Sequence, residues 1–300
     1  WAQTLSTLRA NVGETWNDYL ARMRRACDYL MKLGRATPRI DRIWQMEVNE
    51  AFGADTAMSA LAGMTDLVRS GRGIGLSFTR TYRAQRTSRI QKGRLGYGWR
   101  DNYSIRAVVH PVIQWTYNPS SVPGSAPART RTFGAMSSSS VRSRLESRFG
   151  QLGWEARELI ADGARIEIKA PSGTQEFELR DGEWTPCAAF DRTKVTLTQT
   201  SVKLEFVSGL VLEFLRSTGR LYRVMDNQGN SLAFSYSGDN LIKVVHSDGQ
   251  SLSFTYQDNG LISSVSDDQG RRVSYAYEDG DLVSSTAVDG LVTRYRYASE

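Results

Sequence analysis

Apolar and polar residues alternate along this chain with two different periods, and the change of period divides it. Between residues 3 and 33 the apolar positions Leu5, Leu8, Val12, Trp16, Tyr19, Leu20, Met23, Cys27 and Leu30 recur at steps of three and four. With Asp18, Arg22, Arg25 and Lys32 off that stripe, the pattern predicts an amphipathic helix, ended by Gly34. Thr37-Pro38 offers an N-cap and a first-turn proline for a second helix, lined by Ile40, Ile43, Trp44, Val48, Ala51 and Phe52. A third, short helix is expected from Thr56 to about Ala62. From Asp66 the period becomes two: Leu76 to Tyr82 alternates, and Ile105 to Val109 with Val112 to Tyr117 read as a strand pair around His110-Pro111. The expected organisation is a helical segment over 1–65 and a strand-rich opening segment over 66–117. A flexible Pro/Ser/Arg-rich loop follows over 118–148, then irregular hairpins over 149–208 and regular repeats over 209–300.

The last stretch repeats one phrase five times. Glycine recurs at Gly209, Gly229, Gly249, Gly270 and Gly290, and an aromatic five residues later at Phe214, Phe234, Phe254, Tyr275 and Tyr295. From the second copy onward a tyrosine stands two residues further on, at Tyr236, Tyr256, Tyr277 and Tyr297. Leu221, Leu241, Leu261 and Leu282 complete the frame at a spacing of 20 or 21 residues. Such a period means one supersecondary unit stacked on its own copies. In the copy from Leu221 to Gly238, LYRV and SLAFSY are strands, while DNQGN and SGDN are turns in which Asx side chains and glycine accept tight backbone angles. The predicted fold is mainly β: repeated hairpins forming a curved or spiralling sheet wall, preceded by the α-helical segment.

This frame, G-x-L-x-x-V-x-D-x-x-G-x-x-x-x-F-x-Y, resembles the tyrosine-aspartate (YD) repeats of Rhs-type bacterial proteins. GRGIGLSFTRTY from Gly71 and LGYGWRDNY from Leu95 resemble the segment that opens an Rhs repeat region. The likeness spans roughly Asp66 to Asn118 and Ala164 to Glu300. It implies a hollow β shell that encloses or presents a C-terminal cargo, often a toxin, in a large secreted or surface-exported protein. The remainder of the same polypeptide would be the chain's partner. Opening at Trp1 and stopping inside a repeat, the chain reads as a piece of a larger polypeptide that forms an open, incomplete wall.

Charge sharpens the division. Residues 1–150 carry 23 Lys and Arg against 10 Asp and Glu, and residues 151–300 carry 15 against 22. The simple explanation is that the basic and acidic halves pack together; the other is a polyanion partner such as a polysaccharide. The densest basic run, Arg80, Arg83, Arg86, Arg89, Lys92 and Arg94, is the candidate contact for it. No nucleic-acid signature accompanies that run, and no apolar stretch approaches the roughly 18 residues of a membrane span.

Candidate chemistry is sparse. The chain has two histidines, of which His246 takes the turn position held by Asp226 and Asp267 in other copies, and His110 precedes Pro111. Cys27 lies on the helical stripe, so a Cys27–His110 dyad would have to pull a core residue out. No nucleophile elbow, phosphate loop or zinc-ligand spacing is present, and paired acids such as Asp267-Asp268 sit in turns. No cofactor, metal or catalytic residue is indicated. The alternative to the shell is an adhesin or carbohydrate-binding module that uses the recurrent tyrosines as stacking platforms. Burial separates the two: recurrent tyrosines less than about a tenth exposed favour a wall, and tyrosines lining an open groove favour binding.

Overall fold

The computed structural model describes residues 15, 17, 18, 20, 21, 63–83, 91–117, 129–133, 139–150, 154–171, 173–188 and 191–297. The helices expected between residues 3 and 62 lie outside these, except at 17, 18, 20 and 21, which are helical. Thr15 is not helical, and its Oγ1 accepts the Asp18 N–H at 3.1 Å, the geometry of an N-cap. A helix therefore begins after Thr15 rather than running unbroken from residue 3, because the hydroxyl competes for the backbone there.

Strands β1 (Met64–Arg69) and β2 (Leu76–Tyr82) pair antiparallel. A small hairpin, β3 (Lys92–Gly93) and β4 (Gly96–Tyr97), leads into β5 (Trp99–Asp101), which adds to the other side of β2. The expected pairing of β6 (Arg106–His110) with β7 (Val112–Tyr117) does not form. One proline between two strands redirects the chain without the turn a hairpin needs, so each strand joins its own sheet. β7 lies between β8 (Arg129–Phe133) and β9 (Trp154–Leu159), while β6 edges a sheet with β10 (Arg165–Ala170), β11 (Gly173–Arg180) and β12 (Glu183–Pro186).

The stretch 118–148 is not all loop. It contains β8 and most of helix α1 (Ser139–Gly150). Arg129–Phe133 has the alternation of an edge strand, and Leu145 and Phe149 are four apart on the helix, where Phe149 meets Trp115 at 5.1 Å between ring centroids. Cysteine Cys187 is free and exposed.

The repeats form one open antiparallel sheet in strict chain order. Its strands are β13 (Lys194–Leu197), β14 (Ser201–Glu205), β15 (Val211–Leu215), β16 (Leu221–Met225), β17 (Ser231–Ser237) and β18 (Asn240–His246). β19 (Ser251–Tyr256), β20 (Ile262–Asp267), β21 (Arg272–Glu278), β22 (Asp281–Thr286) and β23 (Val292–Arg294) complete the 11 strands. The array thus starts one hairpin before residue 209. Two kinds of turn recur. One is a three-residue loop with its glycine in the left-handed region: Asp226 N–H donates to Asn230 O at 3.0 Å, and Gly229 has φ of 88°. The other is a two-residue turn, such as Asp279-Gly280 with both φ values positive.

From β16 on, long and short ladders alternate. The long ones, β17–β18, β19–β20 and β21–β22, hold five or six register pairs and a bulge, in β17–β18 between Ser235 and Tyr236. Their neighbours across the three-residue turn, such as β16–β17, hold only three, from Met225↔Ser231 to Arg223↔Ala233. A bulge adds twist, and the adjoining ladder splays open at its far end. That splay leaves a backbone carbonyl without a ladder donor in each copy.

Candidate functional site: the covered aromatic face

The tyrosines of the repeat fill those splayed ends. Tyr236 Oη donates to Leu221 O at 2.8 Å, and Tyr256 Oη to Leu241 O at 2.8 Å. Tyr277 Oη donates to Ile262 O at 2.8 Å and Tyr297 Oη to Leu282 O at 2.6 Å. Each partner lies 15 residues back, so the period of the sequence is the period of this bond. The first copy has Arg216 where the others have tyrosine, and there the β14–β15 ladder runs on through Ser201↔Leu215 with Arg216 N–H bonded to Thr200 O. With no splay, no hydroxyl is needed.

Burial keeps these hydroxyls protonated. It pushes Tyr236 up to about 12 and raises Tyr277 and Tyr297 further, so all three remain donors across the physiological range.

The aromatics two residues earlier point inward. Phe214 is fully buried, and Phe234, Phe254 and Tyr275 are buried; Tyr295, Tyr297, Tyr236, Tyr256 and Tyr277 are half-buried against the same core. The face is covered by residues 64–103 of the same chain. Tyr103 meets Phe234 at 5.3 Å, Phe78 meets Phe254 at 5.5 Å and Tyr275 at 6.4 Å, and Trp99 meets Tyr295 at 5.2 Å. Tyr82 lies 5.6 Å from Tyr297. Copies two to five each receive a ring from the opening segment, at offset or edge geometries worth about 0.5–1.5 kcal/mol beyond area. The rings of the LSFTRTY and LGYGWRDNY motifs are therefore the partners of the repeat rings, a pairing that neither motif reveals alone.

Two ion pairs hold this layer. Arg80 is 3% exposed and donates through Nε to Asp66 Oδ2 at 2.6 Å, with its guanidinium 5.0 Å from the Trp99 ring and 5.2 Å from Tyr295. Asp66 Oδ2 also accepts Tyr275 Oη at 2.6 Å, and Arg80 Nη2 donates to Ser285 Oγ at 3.0 Å. The second pair is bidentate: Arg94 Nε and Nη2 each reach Asp101 at 2.7 Å, and the Asp101 side chain is fully buried. Asp101 further accepts from Tyr103 N–H and Ser104 Oγ. Burial opposes the charge of both arginines, but the adjacent carboxylates outweigh it and their affinity for the proton rises.

The structure thus separates the six basic residues grouped by sequence. Arg80 and Arg94 are internal and committed, so they make no contact with a polyanion; Arg83 is half-buried, Lys92 is exposed, and Arg86 and Arg89 lie outside the described residues. Nor do the two halves pack mainly by opposite charge. Both buried ion pairs fall within the basic half, and the pairs that join the halves among the described residues are Arg69–Asp268 at 3.1 Å and His110–Glu167 at 3.3 Å, the latter ionic only when the histidine is protonated.

Turns of the middle copies grip the opening segment from the side. Arg271 Nη2 donates to Val68 O, and Gln250 Nε2 to Ser70 O, both at 2.8 Å. Gly73, at φ of 68°, lies so close to Asp226 and Asn230 that a Cβ would sit 2.1 Å from both side chains. Gly219, at φ of 70°, leaves no room either, since a Cβ would sit 2.0 Å from Ala107 O. Of the five repeat glycines, Gly209, Gly229, Gly249, Gly270 and Gly290 all have positive φ between 81° and 95°. His246 is the last residue of β18 and borders the turn, its Nδ1 lying 2.7 Å from Asp248 Oδ1. His110 Nε2 lies 3.3 Å from Glu167 Oε2.

Residues 60–120 match a family described as a domain of unknown function, DUF6531. No curated protein matches the chain. The matched segment contains the whole covering layer, from β1 to Tyr103, and extends into β7. Sequence reasoning placed the DUF6531-like segment beside the repeats without assigning it this contact. Asp66 and Asp101 were missed as site residues. The available signal was one of composition: residues 51–117 hold ten Arg and Lys but three acids, so an acid there is a candidate partner for a buried arginine. No helix among the described residues is long and apolar enough to cross a membrane.

Proposed function

We propose that this chain is a structural module: part of the wall of an Rhs/YD-repeat shell that encapsulates or presents a C-terminal cargo of a large exported protein. The observation that carries the reading is the complete internal use of the aromatic face. Every repeat ring is packed on a neighbour or on the DUF6531-like segment, and the recurrent hydroxyls close the sheet's own backbone. The opposite face of the sheet presents small residues at Ala233, Ser235, Ser253, Thr255, Ser274, Ala276 and Ser284, among larger ones at Tyr222, Arg223, Ile242 and Lys243. A container holding an unfolded passenger needs a surface that excludes solvent exchange without binding exposed apolar side chains, and this face suits that task.

The adhesin reading draws no support from the tyrosines. Tyr275, 5% exposed, meets the tenth-exposed mark of a wall; Tyr236, Tyr256, Tyr277, Tyr295 and Tyr297 are half-buried and do not, and what speaks against their use as stacking platforms is that their hydroxyls are engaged within the protein. Cryo-electron microscopy of the protein expressed from its complete reading frame tests the proposal. Residues 194–294 should lie in the wall of a hollow particle with a segment of the same polypeptide inside it. A solid rod or a compact domain without a lumen would refute the reading.

A further inference from the structure

Strand β6 ends the order β12-β11-β10-β6, so its outer edge meets no strand and carries only an isolated bridge at its start, Arg106↔Arg220. Its antiparallel register turns alternate residues toward β10 and away from it. Ala107 N–H points away and donates to Gly219 O at 2.9 Å. Two residues on, Val109 faces the same way, and no described strand lies there to receive its N–H and C=O. Beside this edge, between the bend at Pro111 and the 216–219 turn, lies a cleft of about 540 Å³, within the size of ordinary binding sites.

The cleft has an excess of positive charge, and two of its three cations are held by carbonyls. Arg106, Lys169 and Arg216 line it against a single carboxylate, Glu158, and Val109, Pro111 and Ile160 give it apolar surface. Arg106 donates through Nε and Nη2 to Thr218 O at 3.1 and 2.9 Å, and Arg216 Nη1 donates to Thr198 O at 2.9 Å. A carbonyl fixes a guanidinium without cancelling its charge, and each fork keeps donors for a second partner. Lys169 shares Glu167 at 3.1 Å but remains more than half exposed.

We propose that this cleft binds a short extended acidic peptide segment. Its backbone pairs with the free edge at Val109, and its carboxylates face Arg106, Lys169 and Arg216. The missing N–H of Pro111 and the turn at Gly219 limit the pairing to a few residues. An open strand edge is matched by another backbone, whereas a sugar would use an aromatic ring, and none lines the cleft among the described residues.

The test is fluorescence anisotropy of the labelled peptide acetyl-VEVDV-amide titrated with the full 300-residue chain. The expected result is saturable binding that weakens about tenfold or more between low and moderate salt, as charge pairing requires. Lys169→Glu and Arg216→Gln should each weaken it about tenfold, with melting temperatures unchanged as proof of folding. N-methylation of the peptide's central amides should abolish binding to the unaltered chain, which needs no variant to fold. Equal binding of the N-methylated peptide, equal binding of a lysine-for-acid peptide, or no saturable binding overturns the proposal. So does an acidic oligosaccharide that binds where the peptide does not.

Discussion

Replacing a single repeat tyrosine with phenylalanine removes one oxygen and nothing else, and so isolates the bond that sets the period. In Tyr256→Phe the ring keeps its packing while Leu241 O loses its 2.8 Å donor. A net hydrogen bond contributes about 0.5–1.5 kcal/mol, rising to about 1–3 kcal/mol where the abandoned carbonyl stays dry. About 1.5 kcal/mol is the expected loss at Tyr236, Tyr256 and Tyr277. Tyr297→Phe should cost more, because its oxygen also accepts Trp99 Nε1 at 2.8 Å, and that bond ties the DUF6531-like segment to the last copy. Successive copies are two strands apart, roughly 9.5 Å, so the four losses should add to about 6 kcal/mol, a large part of a typical domain's stability. Thermal melts by circular dichroism, with urea titrations to check that the slope is unchanged, measure this. Each single variant should lower the midpoint by about 3–6 °C at the few degrees per kcal/mol usual for a domain of this size. Tyr222→Phe, on the opposite face, is the control and should move it by less than about 1 °C. If the four repeat variants behave like that control, the hydroxyls do not close the sheet, and the period needs another explanation.

Other expectations follow from the same geometry. Arg94→Met should cost about 3–5 kcal/mol by leaving the Asp101 carboxylate buried and half-paired, and adding Asp101→Asn should recover a good part of it in a double-mutant cycle of urea midpoints. Simple additivity of the two losses would show that they do not act as a pair. Gly219→Ala should destabilise by about 3 kcal/mol or more, since it meets the Ala107 carbonyl as well as left-handed strain, whereas Gly229→Ala, with open space around it, should cost only about 1 kcal/mol. Equal losses at the two sites would remove the argument from close approach. The hydrogen bond from His110, helped by Lys169 and opposed by burial, holds the Glu167 carboxyl down at about 2. A depressed folded value means its contribution is full above the ordinary carboxylate range near 4.3 and is lost as pH falls toward 2. Glu167→Gln should therefore flatten the fall in urea midpoint between about pH 5 and pH 2; an unaltered slope would count against the pairing.

What could be read from the sequence follows from locality. Strand alternation, turn glycines and the 20-residue frame are set by neighbours a few positions apart, so SLAFSY and DNQGN identify their own conformation. For the same reason His246 could be placed next to a turn from its position in the frame, although it proves to be the last residue of the strand before it. The stretch 118–148 was misread because its composition is that of a loop, while Leu145, Phe149 and the rings of Trp115 and Trp154 make a helix worthwhile only once β7 and β9 are beside it. The pair at Pro111 failed likewise, since the partners of β6 and β7 lie tens of residues downstream.

By itself the chain's sequence determined that residues 209–297 are stacked hairpins and that the aromatic and tyrosine positions share a face. Only the tertiary structure decided what covers that face. Phe78, Trp99 and Tyr103 look like ordinary strand aromatics in sequence, and become partners of Phe254, Tyr295 and Phe234 because a single sheet cannot bury its own apolar side and must take a second layer. The same docking turned Arg80 and Arg94 from an apparent basic patch into buried ion pairs. Charge counts record how many arginines there are, and only packing determines which of them still face water.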